Sequence, residues 1–213
     1  MNRRVLVFGA SGHGKVVADV ASAAGLEILG FVDDDPERRK AGLWDLPVLG
    51  WEEARARRWE GQRPAIALGI GDNRARERVF ERVRASGFEV LTVVHPSAVV
   101  AIRARLGAGT VVMALVAVNP DAKVSEGVIL NTGCVVEHDC RVGRFAHLSP
   151  NGALGGGVEI GDRAHLGLGA MVLPLVKVGS DVRVGAGAVV TKDVPPGTTV
   201  VGMPAKPLSP RSA

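Results

Sequence analysis

The sequence predicts a chain of two parts, an α/β domain over residues 1–95 and an all-β parallel β-helix of hexapeptide repeats with a C-terminal tail over residues 96–213. Three observations predict it. An aliphatic residue returns at every sixth position from Val100 through Leu106, Val112 and Val118 to Val190 without a slip. Four residues after each sits something small or β-branched, from Ala104 and Thr110 to Ala188 and Val194. Ahead of Pro96, short apolar runs alternate with helical patterns, and the first junction is a glycine-rich turn.

A period of six fits neither the helical 3.6 nor the two-fold repeat of a long strand. It fits a coil of short flat sides in which stacked turns bury a common aliphatic interior. Three sides make one coil, so residues eighteen apart lie above one another. A Val- and Gly-rich β-sandwich would vary its strand and turn lengths and break the register. The composition agrees, since tyrosine is absent and large rings do not fit a narrow coil. Cys134 and Cys140 both fall on the small interior position, and their spacing is no zinc pattern. They read as buried thiols of a reducing compartment.

In the first part, Arg4 to Phe8 reads as a strand, Lys15 to Ala24 as a helix and Glu27 to Val32 as a second strand. A loop runs through Pro47, followed by a helix from Trp51 to Trp59 and a strand from Ala65 to Ile70. The helix Arg74 to Ala85 and a strand Glu89 to Val94 complete the set. Strands and helices alternating at this spacing predict a small parallel, Rossmann-like sheet with ligands at the carboxyl ends of its strands.

The formal charge of +4 comes from arginines in the helical segments 37–40, 55–63 and 74–84, where acidic residues are interleaved. That is a solvated face, and without interleaved aromatics it argues against nucleic acid. No apolar stretch is long enough for a membrane span, and Met1-Asn2-Arg3-Arg4 runs straight into a strand. A cytoplasmic protein without membrane partners is expected.

The turn Gly9-Ala10-Ser11-Gly12-His13-Gly14 lets the backbone approach a phosphate, and the helix it opens supplies free N–H groups. Its spacing is G-x-x-G-x-G, which departs from the dinucleotide fingerprint. Asp33 and Asp34 follow where an acidic residue meets a ribose, so a nucleotide is inferred. His13 can donate to a phosphate or sugar hydroxyl, or equally cap the helix. In the repeat, Glu137-His138-Asp139 places an imidazole between two carboxylates on an outer turn. A His beside an acid is the minimal general base, although an isolated one is more often a solvated surface residue. His147, His165 and Arg183 stack at eighteen-residue steps, either as donors lining a groove for an anionic ligand or as an ordinary polar edge.

The unbroken hexads, the segment Leu130-Asn131-Thr132-Gly133-Cys134-Val135-Val136-Glu137-His138-Asp139-Cys140, the tail Val201-Gly202-Met203-Pro204-Ala205-Lys206 and the opening glycine turn together resemble the left-handed β-helix acyltransferases. Within these, the chain is similar to the sugar O- and N-acetyltransferases of the sialic acid, bacillosamine and perosamine pathways. The resemblance implies a left-handed coil, acetyl-CoA as co-substrate, no metal, and a homotrimer with the coenzyme in a groove between neighbouring β-helices. It also implies a nucleotide-linked amino sugar held by the first domain. His138 matches the general base, Asp139 the acid that raises its basicity and Glu137 an acidic neighbour. Asn131 and His147 match residues near the thioester and pantetheine arm. Leu168 falls in the coenzyme groove, as does Ala186, at a position where the family often has glycine. Ser11, Gly12, His13, Asp33, Asp34 and Gly71 match the nucleotide-sugar site. A backbone N–H, that of Gly156, is the expected oxyanion donor.

Three function classes follow: N-acetylation of a nucleotide-linked amino-dideoxy sugar, of the UDP-4-amino or GDP-perosamine kind; O-acetylation of a sialic-acid-type sugar; and a non-catalytic trimeric nucleotide-sugar binder. The intact His138-Asp139 pair argues against the third, and the nucleotide-binding turn favours the first. Flat apolar sides on the coil, with no polar side among them, are expected to drive trimer assembly.

Overall fold

The computed structural model describes residues 3–208. Met1 and Asn2, which enter the leader argument, and residues 209–213 of the tail lie outside the described residues.

Strands β1 (Arg4–Phe8), β2 (Glu27–Val32), β3 (Val48–Leu49) and β4 (Ala65–Leu68) form one parallel sheet in the order β3-β2-β1-β4. β1 is central and Val5, Leu6, Val7 and Phe8 are all buried, which is why its apolar run is continuous. Helix α1 (Gly12–Ala23) buries Val17, Ala18, Val20 and Ala21 on one stripe. Its close approach to β1 depends on Gly14, where a Cβ would lie 1.9 Å from the carbonyl oxygen of Gly9.

Helix α2 (Pro36–Ala41) contains the helical segment 37–40. Asp35 caps it by accepting from the Glu37 N–H, and it buries no residue. The edge strand β3 falls where the sequence predicts a loop, because two residues after Pro47 carry no periodic signal. Helix α3 (Trp51–Ala56) stops short of Trp59, and the segment 57–63 is not helical. Arg57 turns to an extended conformation, and the Trp59 indole donates to the Ala54 carbonyl at 3.3 Å across the helix end. Helix α4 (Asn73–Ala85) is capped by Asp72, which accepts from the Ala75 N–H. The expected strand Glu89 to Val94 is divided between the two parts: Val90 bridges Ile66, whereas Val93–Val94 pair with Val111–Val112 and begin the β-helix.

From there the chain winds in two-residue rungs at the eighteen-residue register, as in Ile129 over His147, Val135 over Ala153 and Arg141 over Glu159. From Val112 to Val190 the aliphatic position is buried in every rung, and the small position is buried from Thr110 to Val194. The final coil is shorter, with Arg183 pairing Thr199. Every sixth residue from Gly109 to Gly187 has positive φ, including Leu115, Asp121, Asp139, Phe145, Asn151, Arg163, Leu175 and Asp181. A side chain in this conformation costs about 1–2 kcal/mol, which the packed coil offsets at each corner.

The three faces of the prism differ. One presents Val93, Val111, Ile129, His147, His165 and Arg183 outward and is covered by the first domain, with Val111, Met113 and Ile129 packed against residues of β1 and α1. The second presents Val99, Ala117, Val135, Ala153, Met171 and Val189, and among the described residues no other part of the chain covers it: Val99 is 70% exposed. Ile102, Leu115, Leu168, Leu173 and Leu175 are exposed along its two bordering corners. The third presents Arg105, Lys123, Arg141, Glu159 and Lys177. This charged face corrects the expectation of a coil with no polar side. The six-residue count reports what points inward, whereas the outward position is free to be charged.

Candidate functional site

His138 stands on the corner between rung Val135–Val136 of the apolar face and rung Arg141–Val142 of the charged face. Its neighbour Asp139 has φ 61°, a conformation that Asp tolerates better than most residues. The pair is joined at 2.8 Å, His138 Nδ1 to Asp139 Oδ2. The His138 backbone N–H donates to Glu137 Oε2 at 3.3 Å. Both side chains of the pair are open to solvent, 62% and 67% exposed. The hydrogen bond to Asp139, then the charges of Asp139 and Glu137, raise the basicity of the imidazole above the ordinary histidine value. With Nδ1 donating to the carboxylate, Nε2 is the nitrogen left to accept a proton.

That Nε2 lies over Gly156, one coil on, where a Cβ would come within 2.6 Å of it. The next N–H, of Gly157, donates to the His138 carbonyl at 2.9 Å and fixes the turn. Among the described residues, the N–H of Gly156 itself donates to no backbone carbonyl. It thus has no backbone acceptor where it lies beside the His138 imidazole.

A second group of imidazoles lies under the first domain. His147 and His165 stack with ring centroids 4.7 Å apart and planes 7° from parallel, and His13 lies 6.2 Å from His147. His147 Nε2 meets Asn131 Nδ2 at 3.2 Å, and His165 Nε2 meets the Ser149 hydroxyl at 2.9 Å. Burial, reinforced by the positive charge of Arg76, pushes His13 down to about 4. Burial pushes His147 down to about 3, with His165 and Arg76 adding to it. His165 is lowered by burial and by Arg183. The eighteen-residue ladder therefore exists, but its lower rungs are neutral rings beneath a domain and no open row of cations. His13 faces this ladder. His13 Nε2 and His147 Nδ1 are buried without a hydrogen-bond partner among the described residues.

Arg76 organises this joint, and sequence reasoning passed over it as one more arginine of a solvated helix. It is wholly buried on α4. Its guanidinium donates to the carbonyls of Ile70 and Gly71 in the first domain and of Gly127 and Phe145 in the β-helix, and to the Asn73 side chain. Burial lowers its pKa to about 9, with the charge of Asp72 opposing, so it remains a cation at neutral pH. A signal for it would be its place one helical turn after the cap Asp72, but periodicity alone does not separate a buried arginine from a solvated one.

A cavity of about 630 Å³ opens at the carboxyl ends of β1 and β4, lined by Ser11, Asp33, Asp34, Gly71, Arg38 and Arg82. Gly12 begins α1 facing open space. Asp33 is already engaged: its carboxylate accepts from the N–H groups of Ala10 and Asp35 at 2.8 and 2.9 Å, and from Arg38 at 3.1 Å. Burial acts against the charge, but these three donors hold the carboxyl below its usual range. Asp33 therefore shapes the glycine loop, and Asp34, tied to Arg82 at 2.7 Å, borders the cavity.

Leu168 and Ala186 stand eighteen residues apart on the corner between the covered and apolar faces, the corner that Asn131 also begins; both are exposed. Within one chain, the His138 corner and the Asn131–Leu168–Ala186 corner flank opposite borders of the apolar face. Among the described residues no group of three His, Cys, Asp or Glu is placed to hold a metal, and no helix is long and apolar enough to cross a membrane.

Comparison with known proteins gives this arrangement its relatives. Residues 4–83 match the PglD N-terminal domain. A UDP-N-acetylbacillosamine N-acetyltransferase from Bacillus subtilis is 33% identical over 115 residues, and the match spans 53% of this chain and about half, 52%, of that protein. Among solved structures, a histidine-to-asparagine variant of perosamine N-acetyltransferase from Caulobacter crescentus, in complex with CoA and GDP-perosamine, is 42% identical with a TM-score of 0.91, covering 97% of each chain. The acetyltransferase domain of PglB from Neisseria gonorrhoeae, in complex with acetyl coenzyme A, is 40% identical with a TM-score of 0.90, covering 98% of this chain and all of that one. The fold is thus a small parallel sheet followed by a left-handed β-helix. With a like fold and two-fifths of its residues identical over nearly its whole length, the chain belongs to the family of sugar N-acetyltransferases that contains the perosamine and PglB enzymes.

Proposed function

We propose that this protein transfers the acetyl group of acetyl-CoA to the amine of a nucleotide-linked amino-dideoxy sugar, of the UDP-4-amino or GDP-perosamine kind, with His138 as general base. The observation that carries the reading is the His138–Asp139 pair, with Nε2 free over Gly156. An ammonium cannot attack a thioester, so a proton must leave nitrogen on the way to the tetrahedral intermediate. Nε2 takes that proton, Asp139 stabilises the imidazolium, and the Gly156 N–H is the donor for the oxyanion. The sulfur leaves as the CoA thiolate and takes up a proton. Ser11, Asp34 and Gly71 border the acceptor's nucleotide; Gly12 opens α1 beside its phosphates, Asp33 holds the loop, and His13 and His147 meet below it.

The apolar face supports a homotrimer. When three chains turn this face toward a common axis, the His138 corner of one meets the Asn131, Leu168 and Ala186 corner of the next. The groove between them takes acetyl-CoA. This completes a site that a single chain leaves divided.

The test is to incubate the protein with acetyl-CoA and a panel of UDP-, GDP- and CMP-linked amino sugars while following free thiol, with light scattering for the mass. One strong acceptor and a three-chain mass are expected. Thiol release only with hydroxyl acceptors would replace the N-acetylation reading by O-acetylation, and a mass near 22.2 kDa would remove the trimer.

A further inference from the structure

The charged face is not uniform along its length. Arg105, Lys123 and Arg141 occupy the same outward position on three successive parallel rungs, Lys123 over Arg105 and Arg141 over Lys123. Adjacent rungs are about 4.8 Å apart, so like charges here repel across the sheet. On the next two rungs the sign alternates, and Glu159 pairs with Lys177 at 3.2 Å. The fold therefore does not require the run of three cations. Among the described residues none of the three joins an ion pair with a carboxylate; Glu159, which follows Arg141, is turned to Lys177, and Arg103 neutralises Asp121 at 2.9 Å.

The run also has a place. Lys123 and Arg141 line a concavity of about 410 Å³ together with Arg103, Asp121 and Asp139. Asp139 is the carboxylate that holds His138. From the same two cations a longer groove, about 780 Å³, follows the face past Glu159 and Lys177 toward Pro196. We propose that Lys123 and Arg141, extended by Arg105 on the rung before them, form an anion track that receives a phosphate group of a substrate arriving at the His138 corner. The proposal rests on the acetyltransferase reading, since it takes its phosphate from one of the two substrates of that reaction, the 3′-phosphate or diphosphate of CoA or the diphosphate of the nucleotide sugar. Rigid sheet positions fix the spacing of the cations, and an exposed row of them raises the local concentration of an anion more at low salt than at high.

The experiment measures dissociation constants of the full-length protein for CoA, dephospho-CoA, UDP and GDP by calorimetry at about 0.01 M and about 0.15 M salt. The variants are K123Q with R141Q, and K40Q on α2 as the control away from this face. At low salt the double variant should bind its phosphate ligand at least fivefold more weakly, the difference should shrink at high salt, and K40Q should match the unaltered chain. Weakening for CoA but not dephospho-CoA assigns the track to the 3′-phosphate. Weakening for both assigns it to the CoA diphosphate, and weakening for UDP or GDP to the nucleotide sugar. If the unaltered chain binds these ligands and the double variant binds all of them within twofold, the track is overturned while the enzyme reading stands. If the unaltered chain binds none of them, both fall.

Discussion

The two histidine sites of this molecule are opposites made from the same side chain. His138 is open to solvent, bonded to a carboxylate, and more basic than a free imidazole. His147 is buried between His13 and His165 near a buried guanidinium, and is pushed down to about 3. Only the first can accept a proton and become a stable cation near neutral pH. The second stays neutral at that pH, and its hydrogen bond with Asn131 positions polar atoms without titrating. Environment assigns the roles, and the number of histidines near the cavity says little about which is the base.

Removing the proposed base is the largest perturbation of this contrast. His138→Ala should lower kcat by roughly 10²–10⁴-fold while leaving acetyl-CoA affinity nearly unchanged, as measured by single-turnover thiol release and calorimetry. Near-normal turnover at neutral pH would mean that the amine loses its proton without His138. Gly156→Ala reaches the same ring from below. The added methyl would lie 2.6 Å from Nε2 and the exposed ring would swing away, so kcat should fall by as much as about 10²-fold with little change in melting temperature. A variant as active as the parent would show that the ring position seen here is not the reacting one.

Arg76→Met sharpens the buried half of the comparison. It leaves the carbonyls of Gly127, Ile70, Gly71 and Phe145 without their donor, at about 1–3 kcal/mol for a buried group left unsatisfied. The melting temperature should fall by several degrees. In the folded fraction, NMR should show the His13 and His147 resonances titrating at higher pH than in the parent, because the cation that helps hold them neutral is gone. Unmoved titrations would assign their depression to burial alone.

The residues that set this contrast were unequally legible in the sequence. The hexads fixed coil, register and interior, since a buried position admits few residue types and repeats them. The His138–Asp139 pair stood out because its members are chain neighbours on an outer turn. The left-handed corners did not, as Leu115, Asp139 and Arg163 share a conformation but no chemistry. The burial of His147 was equally hidden, because it depends on which face the first domain covers. Arg76 was hidden because an arginine in a pattern of alternating charge looks the same whether its helix meets water or another domain, and the charged face because the six-residue count reports only what points inward.

The smaller effects concern pH. Asp139→Asn keeps a hydrogen-bonding side chain but removes the charge that raises the basicity of His138. The rate should fall less than in His138→Ala, and the acidic limb of kcat/KM, which lies above the ordinary histidine value in the parent, should move down toward it. An unmoved limb would assign it to the acceptor amine instead.

Stability should report the buried set with the opposite sign. His13 and His147 have folded pKa values of about 4 and about 3, both below their unfolded value of 6.5. The unfolded chain therefore binds more protons over the interval between these values, and stability must rise with pH across it. The contribution is fully present above pH 6.5 and is lost progressively as the pH falls through 6.5 toward 4 and then 3. His138 acts the other way, because its folded pKa is raised: its contribution is present below the unfolded value and lost as the pH rises through the folded one. It is exposed, so the buried pair should dominate. Melting temperatures followed from pH 7 down to pH 4 should decline, and the decline should be shallower in His13→Gln, which removes one of the three depressed imidazoles. A decline of the same slope in that variant would place the acid sensitivity of this interval in His147 and His165, because the carboxyls of Asp33 and Asp181, held below their ordinary value, act in the same direction only at lower pH.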